Sequence, residues 1–289
     1  MRIATWNVNS LKARMERVEE WLADRSPDVL LMQETKLSDE AAPYMPFSMA
    51  GYDLLHHGEG RWNGVAIASR VGIEDVVTNF GDGPVRRSPG VESTTGAIAE
   101  TLEAEASAAP ADEARMVSAV CGGVRVVSIY APNGRALDTP FYRAKLAWFD
   151  RLGRWLRETC DPSRPLAIGG DFNVAPEDAD VYDMTDFVGA THVSAPERAA
   201  LASLRDWGLV DAYRMHHPEP GRFSWWDYRA GNFHKGLGMR IDHMYVTRPV
   251  AARCTAAEID RDARKGKLPS DHAPIYMDLT IDSRPGTGR

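Results

Sequence analysis

The sequence has little cysteine and no long apolar run, and both absences narrow the class of protein. Its three cysteines, residues 121, 160 and 254, are odd in number and far apart, which favours a reducing compartment and excludes a cysteine-based zinc site. No uncharged apolar stretch approaches the ~18 residues that a membrane span needs. The N-terminal stretch MRIATWNVNS lacks the apolar segment of a signal peptide and is typical of a strand. We therefore expect a cytoplasmic protein that makes no contact with membranes.

Several short motifs of common enzyme classes are also absent. The chain has no P-loop, no G-x-G-x-x-G and no G-x-S-x-G elbow, which leaves nucleotide-cradling and acyl-transfer enzymes without support. Its formal net charge of −7 argues against a protein that coats nucleic acid, because such proteins are usually basic. That argument weakens if some of the carboxylates bind a cation, since a bound metal ion reverses the local field.

Many short strand-type runs and a few helices predict an α+β protein in which sheets pack together and helices cover the outside. Helical spacing of apolar residues predicts helices after the first strand, over FYRAKLAWFDRLGRWLRE and over 196–206. The aromatic face of the second of these helices is expected to be core rather than a platform for stacking bases. The predicted strands are 2–8, 28–33, 52–56, 64–69, 115–120, 124–130, 165–169, 222–226, 241–246 and 273–281.

No repeat unit and no linker divides the chain, so one catalytic domain is predicted over residues 1–282, followed by a flexible tail at 283–289. The stretch 88–114 differs from the rest because it is rich in Ala, Glu, Ser, Thr, Gly and Pro and poor in large apolar residues. Such a composition is typical of a mobile surface insertion. A regulatory or partner-binding role is the alternative for this stretch.

Polar residues follow the ends of four strand-type runs. They are Asn7 and Asn9 in WNVNS, Glu34 in MQETK, Asp171 and Asn173 in GGDFNVAP, and Asp271 and His272 in PSDHAPI. Each cluster alone is weak, because a single Glu after a strand is most often a solvated turn residue. Asp171 and Asn173 can face one point, since residues two apart on an extended chain point to the same side. The four clusters together are a stronger signal than any one of them. Repeated acid, amide and imidazole groups where strands meet loops predict one site.

The residue types in these clusters favour particular chemistry. Carboxylates and amides without thiolates favour a hard cation, Mg²⁺ or Mn²⁺, over zinc. A cation, carboxylates and a histidine without a covalent nucleophile indicate hydrolysis by an activated water. Asp242 lies inside a strand-like run between Ile241 and Met244, and its carboxylate needs a polar partner if it is buried.

The motifs WNVNSLKAR, DVLLMQETK, IYAPNGR, GGDFNVAP, WGLVDAYR, FSWWDYR, RIDHMYV and PSDHAP, in this order, resemble the exonuclease III family of abasic-site endonucleases. That family is a branch of the endonuclease/exonuclease/phosphatase superfamily, and the resemblance runs from residue 1 to about residue 281. GDxN and SDHxP are shared across the superfamily, whereas FSWWDYR with RID and QETK is specific to the DNA-repair branch. The resemblance implies a deoxyribonuclease I-like fold, a four-layered α/β sandwich of two mixed sheets flanked by helices.

The resemblance also implies roles for individual residues. Glu34 matches the principal metal ligand, and the metal-site positions together are Asn7, Glu34, Asp171, Asn173, Asp271 and His272. Asp171 matches the residue that orients or deprotonates the attacking water, and Asn173 matches a transition-state-stabilising neighbour. His272 matches the imidazole that contacts the scissile phosphate, Asp242 the carboxylate that orients it, and Tyr130 a phosphate-contacting tyrosine. The implied substrate contacts are Asn9, Asn133, Trp225, Met239, Arg240 and Ile241.

Trp225, Met239 and Ile241 correspond to the family's pocket for a flipped-out abasic sugar, and we expect one of Trp225 and Trp226 to line it while the other packs in the core. The implied function is Mg²⁺-dependent cleavage of duplex DNA 5′ to abasic sites and removal of nucleotides or blocking groups from 3′ ends, by a monomer. A phosphoesterase of the same superfamily acting on a small or lipid phosphate is one alternative, against which FSWWDYR counts. An inactive DNA-binding scaffold is the other, against which the retained acids count.

Overall fold

The computed structural model describes residues 1–81 and 113–280. Over these residues the chain forms two β-sheets, α-helices and several 3₁₀ turns. The strands are β1 (Arg2–Asn7), β2 (Val29–Gln33), β3 (Asp53–His57), β4 (Val65–Ser69), β5 (Glu74–Thr78), β6 (Met116–Cys121), β7 (Val124–Tyr130), β8 (Leu166–Asp171), β9 (Leu209–Asp211), β10 (Asp242–Thr247), β11 (Cys254–Ile259) and β12 (Ile275–Leu279). The helices are α1 (Leu11–Arg25), α2 (Tyr44–Met49), α3 (Pro140–Thr159), α4 (Ala195–Trp207), α5 (Ala212–His216), α6 (Asn232–Lys235) and α7 (Arg248–Ala251).

Both sheets have six strands and mixed direction. The first has the order β11-β12-β1-β2-β4-β3, and the second has the order β5-β6-β7-β8-β10-β9. In each sheet one central pair is parallel, β1 with β2 and β7 with β8, while the other pairs are antiparallel. The parallel pairs matter for function because their carboxyl ends lie at the same edge.

Three apolar clusters give the molecule four layers. The first lies between the sheets and joins side chains such as Leu31 of β2 and Met244 of β10. The second packs β7 and β8 against α3 and α4, and the third packs β1 and β2 against α1 and α2. Burial of apolar surface between each pair of layers is the main stabilising force. The predicted four-layered α/β sandwich is confirmed, and no helix in the described ranges is both long and apolar enough to cross a membrane.

Two glycines explain how the sheets approach each other beside Asp171. A Cβ on Gly169 would lie 2.8 Å from Leu31 Cδ1 of the facing sheet, and a Cβ on Gly170 would lie 2.0 Å from the carbonyl oxygen of Ile129. Both distances are below ordinary contact, so a larger residue at position 169 would force the two sheets apart, and one at position 170 would force β8 away from β7 in its own sheet. The GG of GGDFNVAP thus lets the end of β8 lie close to β1 of the facing sheet and to the neighbouring strand β7.

The three predicted long helices and most predicted strands are found, but the predicted strand 222–226 is wrong. Trp225 forms only isolated bridges, to Met239 and to His272. The backbone of this segment bonds to two loops at once instead of to one strand edge, since Trp225 N–H donates to Met239 O and Trp226 N–H to Asp271 O. The residues FSWW, which are typical of a strand, therefore pack against the loops around the candidate site.

Three strands were missed by the sequence patterns. β5 and β11 are edge strands with few fully buried residues, and β9 is only three residues long. An edge strand has a neighbouring strand on only one side, and β5 is largely exposed while β11 is largely half-buried. Their sequences therefore contain few apolar residues in a strand pattern.

Most of the predicted insertion 88–114, and the predicted tail 283–289, lie outside the described residues. The last two residues of that insertion are described, and they correct its boundary. Glu113 and Ala114 are buried; the carbonyl oxygen of Ala114 accepts from Gly64 N–H at 3.0 Å, and the Glu113 carboxylate pairs with Arg115. The packed structure therefore resumes at residue 113 rather than after residue 114.

Candidate active site

The carboxyl ends of the central strands of both sheets meet at one edge of the sandwich. The parallel strands β1 and β2 end together, β1 at Asn7 and β2 directly before Glu34. In the second sheet Tyr130 at the end of β7 pairs with Asp171 at the end of β8, and Asp242 at the start of β10 lies opposite Asp171 on its other side. Residues from separate sequence motifs are thereby brought to one place.

Asn7 joins the two sheets at this edge. Its Nδ2 donates to Glu34 Oε1 at 2.9 Å and to Asp171 Oδ2 at 3.0 Å. Its Oδ1 accepts from Asn9 N–H at 3.0 Å, so the amide oxygen faces away from the two carboxylates. In this arrangement Asn7 orients both acids, and its role as a metal ligand stays a prediction.

The turn that carries Asp171 and Asn173 explains their spacing. Asn173 has a φ of 52°, the left-handed conformation that Asn tolerates better than most residues. Its N–H donates to Asp171 Oδ1 at 2.9 Å, which closes a turn of the Asx type. Its Nδ2 donates to Ala131 O at 3.0 Å and to Asp171 Oδ2 at 3.3 Å. Asn173 therefore fixes the Asp171 carboxylate, and its role in transition-state stabilisation stays a prediction.

His272 and Asp242 form a buried pair at the centre of the site. Nδ1 of His272 lies 2.8 Å from Asp242 Oδ2 and 3.1 Å from Oδ1, while Ser224 Oγ donates to Asp242 Oδ2 at 2.6 Å. Burial alone would lower the pKa of His272, but the Asp242 carboxylate raises it to about 10, with Asp171 and Asp271 adding to the effect. His272 is thus held as an imidazolium with Nδ1 on Asp242, which leaves Nε2 facing the site and favours phosphate contact over metal coordination.

Asp171 faces this imidazolium from the other side. Its Oδ2 lies 3.8 Å from His272 Nε2. Burial raises the pKa of Asp171 to about 7; the charge of His272 lowers it, and the nearby Asp242 and Glu34 carboxylates raise it. A carboxyl group with a pKa near neutrality can take a proton from water at the working pH. A cation bound beside Asp171 would draw it toward the ionised form.

The donor set at this edge fits a hard cation. One ligating atom each of Glu34, Asp171 and His272 lies within 4.8 Å of the others, and two of the three are carboxylates. Lys36 Nζ lies 2.9 Å from Glu34 Oε2 and donates to Asn9 Oδ1 at 2.6 Å, so an ammonium group partly neutralises the acids. Carboxylate oxygens around a polar cleft are the ligands that Mg²⁺ and Mn²⁺ prefer.

Asp271 lies beside this set but is held by other groups. Its Oδ1 accepts from Asn9 Nδ2 at 2.9 Å and its Oδ2 accepts from Trp225 Nε1 at 3.1 Å. The structure thus brings Asn9, Asp271 and Trp225 together next to His272, whose ring centroid lies 6.5 Å from that of Trp225. The role of Asp271 as a metal ligand stays a prediction.

Tyr130 and Asn133 border the site from the second sheet. Burial raises the pKa of Tyr130 well above its usual value, and the nearby Glu34 carboxylate adds to this effect, so the phenol stays protonated. The guanidinium of Arg115 lies 4.8 Å from the centre of the Tyr130 ring. Asn133 Nδ2 donates to Asn173 Oδ1 at 3.2 Å, which places Asn133 on the turn of Asp171.

The two adjacent tryptophans differ in their burial. Trp226 is buried in a cluster with Phe223 and Phe233. Trp225 is only partly buried, and it packs against Met239 and Ile241 in an apolar cluster next to His272. This cluster is the candidate wall for an abasic sugar, and its role in binding stays a prediction.

The structure does not support the predicted contact of Arg240 with substrate. Its side chain is buried; Nε donates to Asp180 Oδ1 and Nη1 to Asp211 Oδ2, both at 2.7 Å. Nη1 also lies 3.1 Å from His243 Nδ1. These carboxylates compensate the charge of Arg240 completely within the core, so the prediction is corrected: Arg240 holds the start of β10 in place behind Asp242.

The sequence patterns did not identify the buried groups that hold the Asp171 turn and the Asp242 carboxylate in place. Lys145 Nζ donates to Asn173 O at 2.6 Å and pairs with Glu197 Oε1 at 2.5 Å, with both side chains fully buried. A signal existed, because Lys145 falls on the apolar face of α3 beside Trp148 and Phe149. Ser224, which binds Asp242, gave no signal that distinguishes it from any other serine.

The chain was compared with known proteins. The model of the "Endonuclease/Exonuclease/phosphatase family" matches residues 4–272. Exodeoxyribonuclease III of Haemophilus influenzae is 32% identical over 288 residues, which is 96% of this chain and 100% of that protein. An AP endonuclease from Archaeoglobus fulgidus has a TM-score of 0.85 at 33% identity, and a 3′-5′ exonuclease from Neisseria meningitidis has a TM-score of 0.85 at 36% identity. Each of these two structural matches covers 97% of this chain and 100% of the other.

Proposed function

Because the chain belongs to the endonuclease/exonuclease/phosphatase family, we propose that it is a DNA-repair nuclease that hydrolyses phosphodiester bonds of duplex DNA. The observation that carries this proposal is the arrangement of Glu34, Asp171 and His272, whose ligating atoms lie within 4.8 Å of one another at the edge where both sheets end. An imidazolium held by Asp242 therefore lies beside two carboxylates, which gives the site one group suited to a phosphate oxygen and two suited to a cation. Similarity to exodeoxyribonuclease III and to an AP endonuclease supports DNA as the substrate.

The chain's own residues have distinct tasks in this hydrolysis. Asp171 accepts the proton of a water that attacks phosphorus, the P–O3′ bond breaks, and the departing 3′ oxygen takes a proton from solvent, which leaves a 3′-hydroxyl and a 5′-phosphate. His272 donates from Nε2 to a nonbridging oxygen, where negative charge grows in the transition state. Asp242 fixes the ring by binding Nδ1 at 2.8 Å. Tyr130, kept protonated by burial, is a further donor at the border of the site.

The proposed cofactor is Mg²⁺, with Mn²⁺ as the natural substitute. Glu34 and Asp171 would hold it, and a bound divalent cation supplies electrostatic stabilisation of the phosphate charge. The support is the donor set, which is dominated by carboxylate and amide oxygens. The three cysteines are free, and none of them belongs to the group of ligating atoms found among the described residues, so they add no soft ligand.

We propose that the preferred lesion is an abasic site and that 3′ ends are a second substrate. An abasic sugar has no base to unstack, so its extrusion costs less than that of a normal nucleotide, and a tight apolar pocket selects it. The cluster of Trp225, Met239 and Ile241 beside His272 supports such a pocket. We further propose that the protein acts as a monomer in the cytoplasm.

The proposal is tested with two end-labelled duplexes, one with an abasic analogue and one with a recessed 3′ end, incubated with Mg²⁺ and resolved by product size. We expect a single cut 5′ to the analogue and progressive shortening from the recessed end. Intact DNA together with hydrolysis of a small phosphate ester would favour the phosphoesterase alternative. Binding of both duplexes without any cleavage would favour the inactive scaffold.

A further inference from the structure

Two arginines contact Tyr228 and have no carboxylate partner within salt-bridge distance among residues 1–81 and 113–280. Arg14 donates from Nη2 to the Tyr228 hydroxyl at 3.0 Å, and the guanidinium of Arg264 lies 5.2 Å from the centre of the Tyr228 ring. The Nε atoms of both arginines are buried, and neither has a hydrogen-bond partner in the part of the chain that the structure describes. Two cationic side chains with unused donors therefore flank one tyrosine.

Arg264 is the more buried of the two arginines. Its side chain is 5% exposed, and burial lowers its pKa below the usual value for arginine. The aromatic ring of Phe233, 4.9 Å from the guanidinium, and that of Tyr228 offer π-faces but no net negative charge. Tyr228 and the more distant Asp271 carboxylate raise the pKa of Arg264 but do not offset burial. A buried cation without a direct ion pair is costly, so an anion bound near Arg264 would stabilise the structure.

A cavity with space for such an anion opens beside this arginine. It has a volume of about 310 Å³, and Arg264, Tyr228, His234 and Lys265 lie in its wall. The one carboxylate in the wall, that of Asp227, is already paired with Arg229 at 2.6 Å. We name this cavity, defined by these wall residues, the Arg264 pocket.

The Arg264 pocket is joined directly to the active site. Tyr228 Oη donates to Pro269 O at 2.8 Å, and Arg264 Nη1 donates to Ser270 O at 2.6 Å. These are the residues immediately before Asp271 and His272 in the chain. Arg264 Nη2 makes only a 3.4 Å contact to Trp226 O, at the limit of hydrogen bonding, so this donor and Nε are both weakly used in the described structure.

We propose that the Arg264 pocket binds a phosphate group of the DNA strand next to the one cleaved at His272. This inference rests on the proposed function, because the position of the pocket next to the loop of Asp271 and His272 favours a neighbouring phosphate of the same strand. A guanidinium binds phosphate oxygens with charge-assisted hydrogen bonds, and such contacts set the register of a protein on DNA without reading sequence. The same chemistry would also accept free inorganic phosphate, and the experiment separates the two sources.

The experiment pairs single neutral methylphosphonate linkages in an abasic-analogue duplex with the variant Arg264→Gln. Binding is measured in Ca²⁺ without cleavage. We expect that a neutral linkage at one position, other than the scissile phosphate, weakens DNA binding by wild type on the order of tenfold. The same linkage should have almost no effect on DNA binding by Arg264→Gln, because that variant already lacks the cation. Lys265→Gln changes a residue on the exposed side of the same wall. In this variant the neutral linkage at the same position should weaken DNA binding less than it does in wild type, and the variant replaces Arg264→Gln if that protein does not fold. Arg205→Gln, an exposed cation in the last turn of α4, is the matched control and should behave as wild type.

The outcomes decide between the alternatives. If every linkage position weakens wild type and both pocket variants equally, the proposal is overturned while the proposed function stands. If the variants lose only a thermal stabilisation by inorganic phosphate, with no dependence on a linkage position, the pocket binds free phosphate and not the DNA strand. If no protein binds or cleaves the duplex, the proposed function itself has failed.

Discussion

Replacing Lys145 with methionine removes the group that holds the Asp171 turn from below. Lys145 Nζ donates to Asn173 O at 2.6 Å, to Asn133 O at 3.2 Å and to Glu197 Oε1 at 2.5 Å. Burial lowers the pKa of Lys145, and the Glu197 carboxylate partly restores it. The ammonium group is thus desolvated, and its charge is balanced by one carboxylate.

The size of the effect follows from this burial. Lys145→Met leaves Glu197 as an unpaired buried carboxylate, and breaking a buried pair in this way costs about 3–5 kcal/mol of unfolding free energy. The double variant Lys145→Met/Glu197→Met removes both charges and should recover only part of the loss, because Glu197 also accepts hydrogen bonds from Thr191, His192 and Ser194. Urea denaturation of the two variants measures both values.

The cleavage rate of the two variants distinguishes a role of Lys145 in positioning the Asp171 turn from a role in stability alone. In both variants the carbonyl oxygens of Asn173 and Asn133 lose their ammonium donor, so the turn that aims Asp171 shifts. A displacement of about 1 Å can reduce the rate about 10²-fold, and we expect a loss of that order in the single-turnover rate, with little change in DNA affinity. A double variant with wild-type stability and a wild-type rate would refute the reasoning, and would leave His192, whose Nδ1 lies 2.6 Å from Asn173 O, as the group that holds the turn.

Three further predictions concern charged groups at and behind the site. Glu34→Ala should abolish cleavage at micromolar Mg²⁺ without loss of folding, because the cation loses a carboxylate; a wild-type rate under those conditions would contradict the assignment. Asp242→Asn should lower kcat on the order of 10²-fold. The double variant Asp242→Asn/His272→Asn should have a kcat little lower than that of His272→Asn alone. Losses that multiply in the double variant would mean that Asp242 serves another group. His243 is kept neutral because burial, and then the Arg240 charge, lower its pKa to about 4. A pKa below the unfolded value of about 6.5 means that stability is lost as pH falls from about 6.5 toward 4, by about 2 kcal/mol at pH 5. Between pH 7 and pH 5, urea denaturation should show a loss about 2 kcal/mol smaller in His243→Gln than in wild type, because the pKa values of His56, His57 and His192, which burial also lowers, affect both proteins; equal losses would contradict it.

The acids and imidazole of the site could be predicted from sequence because each follows a strand-type run. Asp171 and Asn173 share a side of the chain by their spacing, and the structure brings them together with Glu34 and His272. Their meeting depends on the parallel pairing of β1 with β2 and of β7 with β8, which local patterns do not contain. The resemblance of the ordered motifs supplied that arrangement.

The supporting groups could not be predicted in the same way. Arg240 was assigned to substrate because it stands beside Asp242, whereas the structure turns it into the core toward Asp180 and Asp211. Those two partners are 60 and 29 residues away in the chain, so no local pattern marks the network. The short edge strands and the loop contacts of Trp225 were missed for the same reason, since partners from distant segments determine them.

The central claim is that this edge of the sandwich hydrolyses DNA with Asp171 as the proton acceptor and a divalent cation as cofactor. The most direct test is the single-turnover cleavage rate of an abasic-analogue duplex by wild type and by Asp171→Asn, each in EDTA and after addition of excess Mg²⁺. We predict no cleavage in EDTA, full recovery of the wild type with Mg²⁺, and a rate for Asp171→Asn lower by roughly 10²- to 10⁴-fold. Equal rates for the two proteins, or undiminished cleavage in EDTA, would contradict the account.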